Sequence, residues 1–169
     1  MNIPNFLSLL RIILVPVFVI FLMQAEYDRA LITFIIAGLT DALDGTLARL
    51  LQCQTVLGSY LDPIADKLLL VTSFVMLAII GLIPAWLAVV VISRDFIILL
   101  GIAIFSLMSI AYEIKPAIIG KITTAFQVAT IFFALLNKAL PQNFGDFWVA
   151  ILFWATALFT FGSGVVYIL

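Results

Sequence analysis

Six apolar runs, each about 20 residues long, take up most of this 169-residue chain. That is the length an α-helix needs to cross the hydrocarbon core of a bilayer. The runs are roughly Phe6–Met23, Ala30–Leu50, Gly58–Ile80, Pro84–Leu107, Ile118–Asn137 and Phe147–Ile168. Polar or turn-forming segments separate them at Gln24–Arg29, Gln52–Thr55, Gly81–Pro84, Tyr112–Pro116 and Lys138–Asp146. Backbone groups in lipid must find their hydrogen bonds within the segment, so runs of this kind form helices and not open sheet. Composition agrees. The chain is 66% hydrophobic and 10% charged, against about 45–50% and about 25% in soluble domains. The expected fold is all-α and integral to the membrane, with six transmembrane helices in one domain covering residues 1–169.

Composition also excludes several functions. A net charge of −1 supplies no basic field for nucleic acid. Histidine is absent, so a general base must be a carboxylate, lysine, tyrosine or the lone Cys53. Cys53 cannot form an internal disulfide and reads as a packing residue. Met1–Leu10 carries no Lys or Arg, and the first basic residue, Arg11, lies inside the apolar run. The first run is therefore expected to stay as a helix and not to be cleaved as a signal. Six spans put both termini on one side. With the N-terminus inside, Arg49, Lys115 and Lys121 flank cytoplasmic ends while Arg29 and Lys138 lie outside, a small excess in the direction of the positive-inside rule. Trp86, Trp148 and Trp154 read as interface or packing groups.

The second and third runs contain charges that lipid does not favour: Asp41, Asp44, Arg49, Asp62, Asp66 and Lys67. Each costs about 2.5–3.5 kcal/mol at the bilayer centre on insertion scales, so the cluster needs a compensating reason. Spacing supplies one. Asp41 and Asp44 are three residues apart and share a helix face; Asp62 and Asp66 are four apart and share another. Both pairs lie roughly 6–14 Å below the short connection near Leu51–Leu57, at about 1.5 Å per residue. If the two faces meet, four carboxylates converge in a polar pocket near the cytoplasmic surface, offset only by Arg49 and Lys67. Carboxylate oxygens without imidazole or thiolate favour hard ions, here Mg2+ or Mn2+, and two such ions suit phosphoryl transfer. Gly45, Ala48 and Gly58 leave space for a ligand near backbone, and Arg49 is placed to meet a phosphate. Salt-bridged helix ends would be the plain structural alternative, but two cations do not neutralise four anions. An ion-coupled transporter is the alternative of another class. It would distribute charge through the bilayer depth, whereas here the charge gathers at one end.

Written out, these residues read D-x-x-D-G-x-x-A-R-x8-G-x-x-x-D-x-x-x-D from Asp41 to Asp66. The pattern resembles the signature of the CDP-alcohol phosphatidyltransferases, with no position missing. Ile3-Pro4-Asn5-Phe6-Leu7-Ser8 with Arg11 resembles that family's N-terminal segment, and Leu61-Asp62-Pro63-Ile64-Ala65-Asp66-Lys67 its form in members with glycerol-type acceptors. The resemblance implies a six-helix membrane fold and a homodimer. It implies metal ligation by Asp41, Asp44, Asp62 and Asp66, with Asp66 also the general base on the acceptor hydroxyl. Gly45, Ala48, Arg49 and Gly58 would border the CDP-diacylglycerol donor. The phosphatidyl group would pass directly to the alcohol, releasing CMP.

The resemblance implies one of two acceptors: phosphatidylglycerol, giving cardiolipin, or glycerol 3-phosphate, giving phosphatidylglycerophosphate. Ser93-Arg94-Asp95, Lys115-Pro116 and Gly120-Lys121-Ile122-Thr123-Thr124-Ala125-Phe126-Gln127 resemble CMP-forming cardiolipin synthases more closely. Arg94, Lys115 and Lys121 are the cations expected on the acceptor side. A phosphodiester bearing one charge asks less of three cations than a dianion does, and it gains from apolar walls. Arg94 and its neighbour Asp95 point about 100° apart on a helix, which argues for a role in binding over a pair between neighbours. The expected location is a bacterial inner membrane, with the active site facing the cytoplasm.

Overall fold

A computed structural model describes the backbone of residues 3–51, 56–107, 118–140 and 146–168, and the side chains of 7–41, 64–101, 119–140 and 147–165. Among the described residues there are six helices: α1 (Ile3–Met23), α2 (Tyr27–Leu51), α3 (Val56–Ile79), α4 (Ala85–Leu107), α5 (Ile118–Ala139) and α6 (Asp146–Ile168). Every boundary falls within three residues of its apolar run, because the runs are long and the breaks between them carry polar or turn-forming residues. Within the described residues, Ile119–Ala139 and Phe147–Val165 are long and apolar enough to cross a membrane.

The helices form a bundle in which α1 packs against both α2 and α3, α5 packs against α2 and α6, and α4 packs against α3 and α6. The core is Phe18 and Leu22 of α1, Phe34 of α2, Phe74 and Leu77 of α3, Leu87 and Val91 of α4, and Ile131 and Leu135 of α5. Its counterpart lies outside. Ile13, Ile79, Val89, Phe96, Trp148, Trp154, Leu158 and Phe161 are exposed, while Ser73, Thr123, Gln127, Thr130, Thr156, Thr160 and Ser163 are buried. The hydroxyls of Ser73, Thr123, Thr130, Thr156 and Ser163 find partners within the bundle, whereas Thr160 Oγ1 and the Gln127 amide have none among the described residues. Thr130 and Thr156 meet through their Oγ1 atoms at 2.6 Å, and Thr123 Oγ1 donates to the Phe159 carbonyl at 3.0 Å. Trp86 and Trp154 pack on each other across α4 and α6, with ring centroids 5.1 Å apart.

Two helix ends close in the same way with different residues. At the end of α1, the Glu26 N–H donates to the Phe21 carbonyl and the Ala25 N–H to the Leu22 carbonyl, with Ala25 left-handed at φ 57°. At the end of α3, the Leu82 N–H donates to the Leu77 carbonyl and the Gly81 N–H to the Ala78 carbonyl, with Gly81 at φ 75°. Both are Schellman closures, in which one left-handed residue lets the chain turn back and satisfy helix carbonyls. Glycine takes that conformation freely, whereas a Cβ costs about 1–2 kcal/mol. Gly81→Ala is therefore expected to lower stability by about 1 kcal/mol, and Ala25→Gly to raise it by a similar or smaller amount. Unfolding midpoints of the two variants in the same detergent should move in opposite directions.

Candidate functional site

Arg11 enters the bundle from α1 with its side chain 0% exposed. Its Nη2 lies 3.0 Å from Asp41 Oδ1 on α2, and its Nη1 donates to Asp66 Oδ1 on α3. The two carboxylates are 48% and 40% exposed, so they face a cavity on one side and the guanidinium on the other. One helix thus pins residues of two others, in keeping with the packing of α1 against both α2 and α3. A guanidinium suits this task because its planar fork presents several donors in fixed directions.

The cavity between these groups has a volume of about 110 Å3 and is walled by Phe34, Ala37 and Gly38 of α2, Leu69 and Leu70 of α3, and Thr124 and Val128 of α5. It is polar at the carboxylate end and apolar elsewhere. Of the four aspartates expected to converge, Asp41 and Asp66 come together. The side chains of Asp44 and Asp62 lie outside the described residues, as do those of Gly45, Ala48, Arg49 and Gly58, and Lys115 lies outside them altogether. Among the described residues no group of three or more metal-ligating side chains gathers. The donor chemistry at Asp41 and Asp66 still fits a hard divalent cation. Both offer carboxylate oxygen, both are half-open to a cavity, and Arg11 engages one oxygen of each.

Two sequence expectations need correction here. Lys67 does not offset the aspartate cluster. Its Nζ lies 2.5 Å from Asp95 Oδ2 on α4, because it follows Asp66 directly and so points about 100° away from it. Arg94 does pair with its neighbour: its Nη1 donates to Asp95 Oδ1 at 2.7 Å, and its Nε donates to Ser163 Oγ on α6 at 3.0 Å. The 100° separation holds for the Cβ directions, but a long arginine side chain reaches back across it. Asp95, 4% exposed, is thus a buried carboxylate between two cations, tying α3 to α4 while Arg94 ties α4 to α6.

Sequence reasoning gave Arg11 no part in balancing the aspartates, and it gave Asp95 no partner on α3. The available signal was charge inside an apolar run, which applied to Arg11 as fully as to Asp41. Asp95→Asn keeps the shape of the side chain but removes the charge that both cations face. It is expected to cost about 1.5–3 kcal/mol, the range for hydrogen bonds to charged groups, and thermal unfolding in detergent checks it.

A second, larger cavity of about 890 Å3 runs between α2 and α5 and is lined mainly by apolar side chains, with Arg94 and Lys121 on its wall. It shares Phe34, Gly38, Thr124 and Val128 with the carboxylate cavity, so the two adjoin. Arg94 and Lys121, expected on the acceptor side, therefore both border a space next to Asp41 and Asp66.

Comparison with known proteins bears directly on this arrangement. The CDP-diacylglycerol--glycerol-3-phosphate 3-phosphatidyltransferase of Bacillus subtilis (strain 168) is 36% identical over 180 residues, covering 96% of this chain and 91% of its own length. The CMP-forming cardiolipin synthase of Rattus norvegicus is 34% identical over 98% of this chain, which spans only 60% of the rat protein. The probable phosphatidylglycerophosphate synthase of Mycobacterium tuberculosis (strain ATCC 25618 / H37Rv) is 32% identical over 99% of this chain and 80% of its own. The family model described as CDP-alcohol phosphatidyltransferase matches residues 1–162, a stretch that holds Arg11, the Asp41–Asp66 motif, Arg94 and Lys121. The chain therefore belongs to the CDP-alcohol phosphatidyltransferases, a family of membrane-associated enzymes.

Proposed function

We propose that this enzyme makes phospholipid by transferring the phosphatidyl group of CDP-diacylglycerol to a glycerol-type alcohol, with phosphatidylglycerol the favoured acceptor and cardiolipin the product. The observation that carries the reading is the adjacency of two spaces. A cavity bearing Asp41 and Asp66 adjoins a large apolar one walled by Arg94 and Lys121. Transfer chemistry calls for the first, and a lipid acceptor with one phosphodiester charge suits the second. Glycerol 3-phosphate is the second reading, favoured by the name of the Bacillus subtilis relative and its 36% identity over nearly the whole of both chains.

In the proposed reaction the acceptor hydroxyl gives its proton to Asp66. Its oxygen forms a bond to the phosphorus that carries diacylglycerol, the bond from that phosphorus to CMP breaks, and CMP leaves with the electron pair. Asp41, Asp44, Asp62 and Asp66 would hold Mg2+ or Mn2+, two ions in this reading, which supply Lewis-acid stabilisation of phosphate charge when bound. Arg11 sets the positions of Asp41 and Asp66 through its two nitrogens. Gly45, Ala48, Arg49 and Gly58 border the donor, and Arg94, Lys115 and Lys121 meet the acceptor.

All six helices cross the membrane in this reading, as one domain over residues 1–169. The apolar exterior of the bundle and the polar side chains buried within it support it, since lipid and not water is then the outer solvent. The protein works as a homodimer in a bacterial inner membrane, with the carboxylate cavity open to the cytoplasm. The test is a side-by-side assay of the purified protein with CDP-diacylglycerol, Mg2+ or Mn2+, and either acceptor, with products identified by mass. Cardiolipin is the expected product. Phosphatidylglycerophosphate alone would overturn the preferred acceptor, and no CMP release with either would overturn the transfer reading.

A further inference from the structure

Just past Asp66, α3 carries three leucines in a row: Leu68 is exposed, Leu69 and Leu70 are buried. Turning the helix by one residue, about 100°, exchanges leucine for leucine. Water would still resist such a turn elsewhere along the helix, through the apolar surface it exposes. Lipid resists it little, because that solvent is as apolar as the core. The rotation of α3, and with it the direction of Asp66, therefore depends on shape and on polar contacts. Two successive residues supply the polar contacts. Asp66 meets Arg11 of α1, and Lys67, about 100° further round, meets Asp95 of α4. One ion pair is a pivot; two at different bearings fix the angle. Asp95 is itself braced. It is 4% exposed, and its Oδ1 accepts from Arg94 Nη1 at 2.7 Å, which leaves Oδ2 for Lys67 Nζ at 2.5 Å. Arg94 in turn donates from Nε to Ser163 on α6, and its stem runs beside Gly164, where an added Cβ would lie 3.8 Å from Arg94 Cγ.

We propose that Asp95 is a positioning residue for the transfer reaction, holding Lys67 so that α3 keeps the rotation at which Asp66 faces its cavity. This rests on the proposed transfer with Asp66 as base, and deepens it by naming what aims the base. Neither Lys67 nor Asp95 borders the carboxylate cavity or the groove between α2 and α5, so both act through Asp66 and not on a substrate. Stability alone does not account for the pair. Apolar side chains in place of a buried ion pair are often neutral or stabilising, and leucine at both positions would suit a bundle in lipid. What the charges add is a direction. A direction matters here because misplacing a reacting group by about 1 Å can cost about 10²-fold in rate.

The test measures CMP release from CDP-diacylglycerol with whichever glycerol-type acceptor the wild type uses, well below each protein's unfolding midpoint. It compares the wild type with Lys67→Met, Lys67→Arg, Asp95→Asn and the double variant Lys67→Met/Asp95→Asn. Lys67→Met is expected to lower kcat about ten-fold or more while the KM of each substrate stays within about two-fold. Lys67→Arg restores a cation long enough to reach Asp95 and should recover most of kcat. The double variant should be no slower than Asp95→Asn alone, since Lys67 acts only through Asp95. A lower midpoint for Lys67→Met with unchanged kcat makes the pair a structural tie and overturns the proposal. A rise in KM that exceeds the fall in kcat places Lys67 on a substrate and overturns it, as do losses that multiply in the double variant. Should Asp95→Asn fail to fold, Lys67→Met against Lys67→Arg decides, because the Lys67 side chain is 34% exposed and methionine fits there. A wild type that releases no CMP with any glycerol-type acceptor overturns the transfer reading, and this proposal with it.

Discussion

Asp66→Asn is expected to lower CMP release from CDP-diacylglycerol by about 10²–10⁴-fold, the range for loss of a positioned general base. The amide is close in shape to the carboxylate, and its oxygen still accepts from Arg11 Nη1, so the link from α1 to α3 survives. What disappears is the capacity to take a proton, together with one anionic metal ligand. Asp41→Asn is the useful comparison, since it also removes a metal ligand and a charge beside Arg11, but Asp41 takes no proton in the proposed reaction. Activity of Asp41→Asn should recover in part as Mg2+ or Mn2+ is raised, whereas that of Asp66→Asn should not. Both variants should keep an unfolding midpoint near that of the wild type, because Arg11 retains one charged partner in each. Unchanged CMP release by Asp66→Asn would sink its assignment as base.

The six helices were legible because the signal that marks them is local. A run of about 20 apolar residues closed by Gly81 and Pro84, or by Gln24 and Glu26, needs no knowledge of its neighbours. The pairing of Asp41 with Asp66 was legible for a related reason, since equal depth below one connection brings two helix faces to the same level. What joins them was not. Arg11 is 55 residues from Asp66, and nothing in the spacing of either run says that α1 sits against both α2 and α3. Lys67 was misjudged by proximity in sequence: on a helix, the neighbour of a site residue points away from the site. Its partner Asp95 lies 28 residues on, on α4. The groove between α2 and α5 was hidden for the opposite reason. It is an absence of side-chain volume at Gly38, Ala125 and Ala129, and small residues in a membrane helix serve close packing as readily as an opening.

Replacing Arg11 should have the largest effect on stability. Its side chain is 0% exposed and touches two carboxylates on different helices, so Arg11→Leu leaves Asp41 and Asp66 facing each other with no cation from α1 between them. Breaking a buried pair by removing one partner costs about 3–5 kcal/mol. The carboxylates are 48% and 40% exposed, and access to water places the cost toward the lower end of that range. Thermal unfolding in detergent should show a clear drop in midpoint. Arg11→Lys separates charge from geometry. An ammonium restores the cation but is a point charge and not a planar fork, so it cannot hold both carboxylates at fixed angles. That variant should regain most of the lost stability while activity stays well below wild type. If Arg11 only balanced charge, lysine would restore both together. A lysine variant with full activity would therefore show that the carboxylates need a cation but not the geometry the guanidinium imposes.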